Sequence, residues 1–347
     1  MRPTPEFAAL CLLLAAQLAL HASAAGAYVF SDELNYMGYG ERIHAGQVIY
    51  RDFFEGHAPG NALIAALLYS LPDPFFWARL LVGLAQAAIT LLIFIIGLRV
   101  SGKPGGICAA LLYVLWEPMF GGMWFVAEPF VSLLFTAAML CAVFWPKREW
   151  AAGLFAWGLF AGAALVFKLK AGWFAAASAI LIAWRGFART QPGIAAFAAG
   201  LAAPWALLAA WLLVQGAAAG AFRDLVLFNI TEKAYGDAGV FLLGEFELFA
   251  LAIFILSAAA ALAVRPPSGK DRTGLLLWGW FAAGLLMSFP RFNLFRAAVA
   301  LPPLALILAD SLAGRGRGGL ARGIALIAVF LSAEVAAYMY AAMLGLA

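Results

Sequence analysis

Long apolar runs recur along the whole chain and constrain its fold more than any other feature. Hydrophobic residues make up 65% of the 347 residues and charged residues only 12%, whereas soluble domains have about 45–50% and about 25%. A soluble fold of this length could not bury so much apolar surface. Because backbone groups inside a bilayer must pair internally, and the runs do not alternate as barrel strands do, the sequence predicts an all-α, polytopic transmembrane helical bundle.

The runs predict about eleven membrane spans within one integral-membrane domain, 1–347, with no separate soluble domain. A span needs about 20 apolar residues, and fewer where the membrane is locally thin. The predicted spans are 7–25, 75–98, 104–116, 127–145, 150–167, 170–184, 192–214, 246–264, 274–289, 295–312 and 322–346. Residues 60–71 are apolar but too short to cross, so we predict a re-entrant or interfacial helix there.

The charged residues indicate the orientation of these spans. One set of short loops is rich in Lys and Arg, whereas the opposite set carries most of the acids. Cytoplasmic loops carry the excess of Lys and Arg, so we expect a cytoplasmic N-terminus. The first loop (26–59) and the second loop (216–245) then lie outside. Residues 1–25 also resemble a signal peptide, but residue 32 emerges on the outer side whether or not they are cleaved.

The first loop is the longest polar stretch, and it opens with two adjacent acids, Asp32 and Glu33. Such a pair can provide a general base, ligate a divalent cation through oxygen, or remain as solvated charges. The residues that follow have the spacing of a helix lying in the membrane interface. Asp52 belongs to a second charged cluster, Arg51-Asp52-Phe53-Phe54-Glu55, just before the chain returns to the membrane.

Several features of this region follow one another in a recognisable order. The acidic pair is followed by Tyr-x-x-x-Gly, Gly-x-x-x-Tyr-Arg-Asp-Phe-Phe-Glu, a proline turn, a short apolar helix and Arg79. Residues 28–82 thereby resemble the first outer loop of the GT-C membrane glycosyltransferases. The resemblance is closest to glycosyltransferase family 39, the dolichyl-phosphate-mannose–protein mannosyltransferase-like enzymes, and to the aminoarabinose transferases. Weaker similarities lie at 127–129, 167–172 and 291–303.

The resemblance implies a GT-C fold and an inverting sugar transfer, on the outer face of a bacterial inner or plasma membrane, from a polyprenyl-phosphate-linked donor. It implies Asp32 as the catalytic base and Glu33 as its partner. Where the family often has Lys-Pro-Pro, this chain has His57-Ala58-Pro59, so His57 stands at the expected donor-phosphate contact. Some GT-C enzymes use a divalent ion, and such an ion on Asp32 and Glu33 is left open. We expect no soluble outer domain of the kind that many relatives carry after the last span, and we therefore expect loops or another protein to recognise the acceptor. No nucleic-acid partner is expected.

Transfer from a lipid phosphate also needs cations for the leaving group. The candidates predicted near the outer face are Arg79, Lys168, Lys170, Arg291 and Arg296. Lys168 and Lys170 break the positive-inside pattern, although ordinary snorkelling to the interface is the alternative. Three further residues are accessory candidates, namely Glu128 at the start of a span, Asp52, and Tyr235 in the second loop.

Two other classes of function stay open at this point. A transporter or lipid flippase would favour charges near the middle of the membrane and internally repeated halves, whereas the charges here lie mostly at the ends of spans and no repeat is visible. A GT-C-like membrane protein without catalytic activity is the other alternative.

Overall fold

The computed structural model describes residues 4–26, 30–144, 150–184, 191–231, 245–268, 271–288, 294–310, 312, 326–327 and 330–334. In these ranges every regular element is helical, which confirms the all-α prediction. The α-helices are α1 Pro5–Ser23, α2 Ser31–His44, α3 Gly60–Leu68, α4 Pro74–Trp116, α5 Ala127–Phe144, α6 Trp150–Phe167, α7 Gly172–Trp184, α8 Gln191–Val214, α9 Ala218–Phe222, α10 Phe228–Thr231, α11 Glu245–Val264, α12 Arg272–Leu286, α13 Leu294–Ala297 and α14 Leu301–Asp310.

The apolar helices make the chain an integral membrane protein. Among the described residues, four helical stretches are long and apolar enough to cross a bilayer: Pro5–Gly26, Pro74–Phe120, Ala127–Phe144 and Pro192–Val214. Three shorter apolar helices accompany them: Ala151–Phe167, Leu169–Ile182 and Leu248–Ala263. The count of eleven spans stays a prediction, and most of the last one, 322–346, lies outside the described residues.

Helix α4 is a hairpin of two antiparallel legs. Gly102 has a non-helical backbone, with φ +76°. The Tyr113 hydroxyl donates to Gln86 Oε1 at 2.5 Å, although a straight helix would separate these residues by about 40 Å. Further along the hairpin, a Cβ on Gly97 would lie 2.7 Å from the Gly106 Cα, so the legs touch backbone to backbone. The two legs correspond to the separately predicted spans 75–98 and 104–116.

Small residues also set the packing of α6 against α8. A Cβ on Gly158 would lie 2.1 Å from the Phe197 carbonyl oxygen, and one on Gly200 would lie 2.1 Å from that of Phe155. Close backbone approach through glycine is a common way for membrane helices to associate without a hydrophobic driving force. Beside this contact, Trp157 packs edge-on against Trp280 at 5.7 Å within the main core.

The described part of the second loop packs on the first loop. A Cβ on Gly220 would lie 1.8 Å from the Tyr50 carbonyl oxygen. The Asn229 side chain donates to the Gly56 carbonyl at 2.9 Å, and Arg51 donates to the Gln215 carbonyl at 3.0 Å. The two loops, which the sequence predicts to share one face of the membrane, therefore meet, and a cavity lies beside their junction.

Candidate active site

A cavity of about 260 Å³ lies where the first loop meets the starts of several helices. Its polar wall combines carboxylates, cations, an imidazole, a phenol and an amide, whereas its apolar wall contains two phenylalanine rings and smaller aliphatic residues. The lining residues are Asp32, Tyr36, Gly56, His57, Ala58, Val126, Glu128, Phe167, Lys168, Leu169, Lys170, Asn229, Phe295 and Arg296. The cavity thus brings together six residues that the sequence singled out: Asp32, His57, Glu128, Lys168, Lys170 and Arg296.

The two adjacent acids of α2 face different surroundings. Successive residues of a helix point about 100° apart, so the two acidic side chains project in different directions. Asp32 is half-buried in the cavity wall, whereas Glu33 is fully buried and does not line the cavity. The residue preceding the helix, Phe30, stacks on Trp124 at 4.5 Å. This contact fixes the start of α2 against the segment that leads into α5.

Glu33 forms a two-point ion pair with Arg79 at the start of α4. Arg79 Nη2 donates to Glu33 Oε2 at 2.6 Å, and its Nε donates to Oε1. The Phe125 backbone N–H also donates to Oε1, at 3.2 Å. Both side chains are buried. The structure therefore places Arg79, expected at the donor phosphate, in a contact that ties α2 to α4, and Arg79 does not line the cavity.

Glu128 and Lys168 form the second ion pair, and this pair lies in the cavity wall. Lys168 Nζ donates to Glu128 Oε1, and only 3% of the Glu128 side chain is exposed. Glu128 lies in the first turn of α5, where the helix dipole favours an acid and Pro129 is also accommodated. Lys168 follows the end of α6, and its Nζ lies 5.9 Å from the centre of the Phe295 ring.

Lys170 and Arg296 complete the basic part of the wall. Lys170 sits in the 3₁₀ turn Leu169–Ala171, and Arg296 belongs to the short helix α13. The Arg296 guanidinium lies 5.8 Å from the Phe295 ring. The Phe295 ring therefore has two cations near it, Arg296 and Lys168. Together with Lys168, these residues give the cavity three cations against the two carboxylates of Asp32 and Glu128.

His57 is held by a buried acid that the sequence analysis did not assign to the site. Its Nδ1 lies 2.5 Å from Glu55 Oε1, and its backbone N–H donates to the same oxygen at 2.7 Å. The Tyr50 hydroxyl donates to the His57 carbonyl at 2.6 Å. A carboxylate on Nδ1 fixes the imidazole ring and leaves Nε2 as its second functional atom. The sequence signal that could have found Glu55 was its spacing from His57, with a single glycine between the two.

Tyr36 is a second residue that sequence reasoning missed. Burial raises its pKa well above the usual value, and the carboxylates of Glu128, Asp32 and Glu55 raise it further. Its hydroxyl therefore stays protonated and acts as a hydrogen-bond donor in the cavity. Because Tyr36 lies one helical turn after Asp32, the i, i+4 spacing on α2 was the signal that could have found it.

Three candidates remain, and of these only Asp52 is among the described residues. Asp52 is part of an exposed pair with Arg51, whose hydrogen bond lowers the pKa of Asp52 to about 2. Arg291 and Tyr235 fall outside the described residues. Within the described ranges, no group of three His, Cys, Asp or Glu side chains is placed to hold a metal ion. The oxygens of Glu33 accept from Arg79 and Phe125, and an ion on Asp32 and Glu33 stays a prediction.

Comparison with known proteins identifies the fold. No protein-family model matches the sequence, and no curated protein matches it. The crystal structure of ArnT from Cupriavidus metallidurans bound to undecaprenyl phosphate is similar with a TM-score of 0.67 at 15% identity, over 91% of this chain and 62% of ArnT. The apo state of ArnT gives 0.60 at 15% identity, over 87% and 58%.

An oligosaccharyltransferase shares the same architecture. The crystal structure of the Archaeoglobus fulgidus enzyme with Zn and sulfate is similar with a TM-score of 0.52 at 13% identity, over 94% of this chain and 53% of that one. This chain thus spans less than two thirds of the length of each of these neighbours. At such identities the similarity defines the fold, and the chain has the GT-C glycosyltransferase fold that its first loop resembles.

Proposed function

We propose that this protein is a membrane glycosyltransferase that moves a sugar from a polyprenyl-phosphate-linked donor to an acceptor. One observation carries the proposal: in a GT-C fold, a half-buried Asp32 and three cations line the same cavity. The carboxylate can act as the base for the acceptor, and the cations that face it can bind an anionic leaving group.

In the proposed reaction, the Asp32 carboxylate takes the proton from an acceptor hydroxyl. The acceptor oxygen bonds to the anomeric carbon of the sugar while the bond from that carbon to the phosphate oxygen breaks. The electron pair leaves with the lipid phosphate, whose charge Lys168, Lys170 and Arg296 stabilise. Preorganised cations at the position where charge develops are a large source of rate enhancement.

The rest of the wall suits the same substrate. The incoming phosphate competes with Glu128 for Lys168, so this ion pair keeps the lysine positioned between turnovers. Tyr36 offers a hydroxyl donor to the sugar or the phosphate, and His57, whose Nδ1 is engaged by Glu55, offers Nε2 as an acceptor for a sugar hydroxyl. Phe167 and Phe295 provide apolar surface for the first isoprenoid unit. Undecaprenyl phosphate is the lipid bound in the ArnT crystal structure.

We further propose that the cavity opens on the extracytoplasmic side, with the N-terminus in the cytoplasm. The excess of Lys and Arg in the opposite loops supports this orientation. A cysteine introduced at position 35, on the exposed part of α2, should react with an impermeant thiol reagent added to intact cells. Labelling that requires broken cells would reverse the proposed orientation.

The test of the activity is a transfer assay with the purified protein in lipid, a panel of polyprenyl-phosphate sugars, and hydroxyl-bearing lipid, glycan and peptide acceptors. We expect Asp32→Asn to lower transfer by about 10²–10⁴-fold, the usual contribution of a positioned base. Asp52→Asn is the matched control, since this aspartate belongs to the same loop but does not line the cavity. Normal transfer by Asp32→Asn would exclude Asp32 as the base. If the unmodified protein neither transfers any of the sugars nor binds undecaprenyl phosphate, the proposed function is wrong.

A further inference from the structure

A second polar cluster lies behind the cavity, among the membrane helices. His21 of α1 and Glu117, just after α4, form a pair with Nε2 and Oε1 2.8 Å apart, and only 1% of each side chain is exposed. The other carboxylate oxygen, Glu117 Oε2, is buried and has no hydrogen-bond partner in the described structure. A buried carboxylate oxygen without a donor is costly, so its surroundings call for an explanation.

A small cavity of about 10 Å³ is lined in part by Glu117. Its polar lining includes Gln86, Tyr113, Glu117, Glu128 and Ser132. The hydroxyl of Ser132 is also buried and without a partner among the described residues. About 10–15 Å³ accommodates one water molecule, provided that two to four polar groups surround it.

The other polar side chains of the lining are already engaged with one another. The Tyr113 hydroxyl donates to Gln86 Oε1 at 2.5 Å, and Gln86 Nε2 donates to the Gly122 carbonyl at 3.0 Å. Neither bond satisfies Glu117 Oε2 or Ser132. Gly122 allows the Glu117 carboxylate to lie here, because a Cβ on this residue would lie only 1.9 Å from Glu117 Oε2.

We propose that this cavity is a binding site for one ordered water, which links the buried His21–Glu117 pair to Glu128. A water molecule has two protons for two carboxylates and a lone pair for a hydroxyl. It therefore donates to Glu117 Oε2 and to Glu128, and accepts from Ser132. Glu128 lines both this cavity and the large one, so the water holds Glu128 from the side opposite Lys168.

The stability of the purified protein tests the water site without any substrate. If the cavity is dry, Ser132→Ala removes an unsatisfied hydroxyl and leaves the midpoint of thermal unfolding unchanged or higher. With the water present, the same substitution removes a hydrogen bond and lowers the midpoint by about 2 °C. Ser257→Ala is the matched control, because Ser257 also has a buried hydroxyl without a partner among the described residues but lines neither cavity.

The decisive measurement is the coupling between Ser132→Ala and Glu117→Gln. No hydrogen bond joins Ser132 to Glu117 directly, so a shared water predicts that the double variant loses less stability than the sum of the two single losses. Additive losses would overturn the proposal. If Glu117→Gln fails to fold, a high-resolution structure of the unmodified protein decides. We expect density at hydrogen-bonding distance from both Glu117 Oε2 and Ser132 Oγ, and an empty cavity overturns the water site.

A second experiment rests on the proposed function and asks whether the water positions Glu128. Ser132→Ala should weaken the binding of undecaprenyl phosphate by about fivefold, the change expected from the loss of one hydrogen bond, whereas Ser257→Ala should not change it. Equal affinities would show that the water does not act on Glu128. If the unmodified protein does not bind this lipid at all, the proposed function is wrong. The stability coupling between Ser132→Ala and Glu117→Gln still tests the water site in that case.

Discussion

The buried pair of Glu33 and Arg79 leads to the sharpest prediction about stability. Arg79→Met leaves the Glu33 carboxylate buried with a single described donor, the Phe125 N–H at 3.2 Å. Removing one member of a buried ion pair costs about 3–5 kcal/mol, because the other charge is left uncompensated. At about 2 °C per kcal/mol for a large chain, we expect the midpoint of thermal unfolding to fall by about 6–10 °C.

Adding Glu33→Gln to Arg79→Met should recover most of that loss. The neutral amide removes the buried charge while its oxygen still accepts from the Phe125 N–H, so the double variant should lie within about 1–2 kcal/mol of the unmodified protein. Thermal unfolding in detergent, followed by tryptophan fluorescence, measures all three proteins. A single variant as stable as the unmodified protein, or a double variant no better than the single one, would refute this account of the pair.

The same double variant shows whether the Glu33–Arg79 pair has a structural or a catalytic role. If the pair only holds α2 against α4, the folded double variant keeps transfer near the level of the unmodified protein. If Glu33 and Arg79 instead act as the catalytic partner and the phosphate contact that the sequence predicted, transfer is lost although stability has recovered.

Two further predictions concern the loops around the cavity. Gly220→Ala places a Cβ 1.8 Å from the Tyr50 carbonyl oxygen, so we expect a loss of about 1–3 kcal/mol, measured by thermal unfolding. Gly38→Ala is its control, because open space surrounds this glycine on α2 and alanine stabilises a helix by about 0.5–1 kcal/mol relative to glycine. Equal changes in stability for Gly220→Ala and Gly38→Ala would exclude the steric explanation. Burial and then the charge of Glu55 raise the pKa of Tyr39 to about 12. The unfolded chain therefore loses this proton at lower pH than the folded one, and the stability of the folded protein falls between pH 10 and about 12. Tyr39→Phe should flatten that decline. An unchanged pH profile of stability would contradict a raised pKa for Tyr39.

Much of the fold was predictable because apolar run length determines where helices can form in a membrane. Predicted spans such as 127–145 and 150–167 differ from α5 and α6 by at most one residue at an end. The turn at Gly102 was predictable in position, since polar residues separate two apolar runs. Charge asymmetry between loops and the order of motifs also predicted that Asp32 and Lys168, 136 positions apart, belong to one region.

The direction of individual side chains was not predictable from the sequence. Glu33 differs from Asp32 by one helical step, and only the position of Arg79 on another helix decides which acid is paired. The role of Glu55 depends likewise on the turn that brings its carboxylate back to His57. The Glu33–Arg79 contact is set by tertiary packing, and sequence spacing carries little information about it, whereas the Glu55–His57 contact depends on a local turn that the Glu-Gly-His spacing only hints at.

The glycine contact inside the α4 hairpin has a consequence for biosynthesis. With the backbones of Gly97 and Gly106 touching, no lipid chain fits between the two legs, and both legs enter the bilayer most readily as a preformed unit. Glu6 at the start of α1 pairs with Lys103 beside the turn at 3.6 Å, so the first helix also contacts the hairpin at its turn. A bulky side chain at either glycine should therefore reduce the amount of protein that reaches the membrane before it alters anything at the cavity.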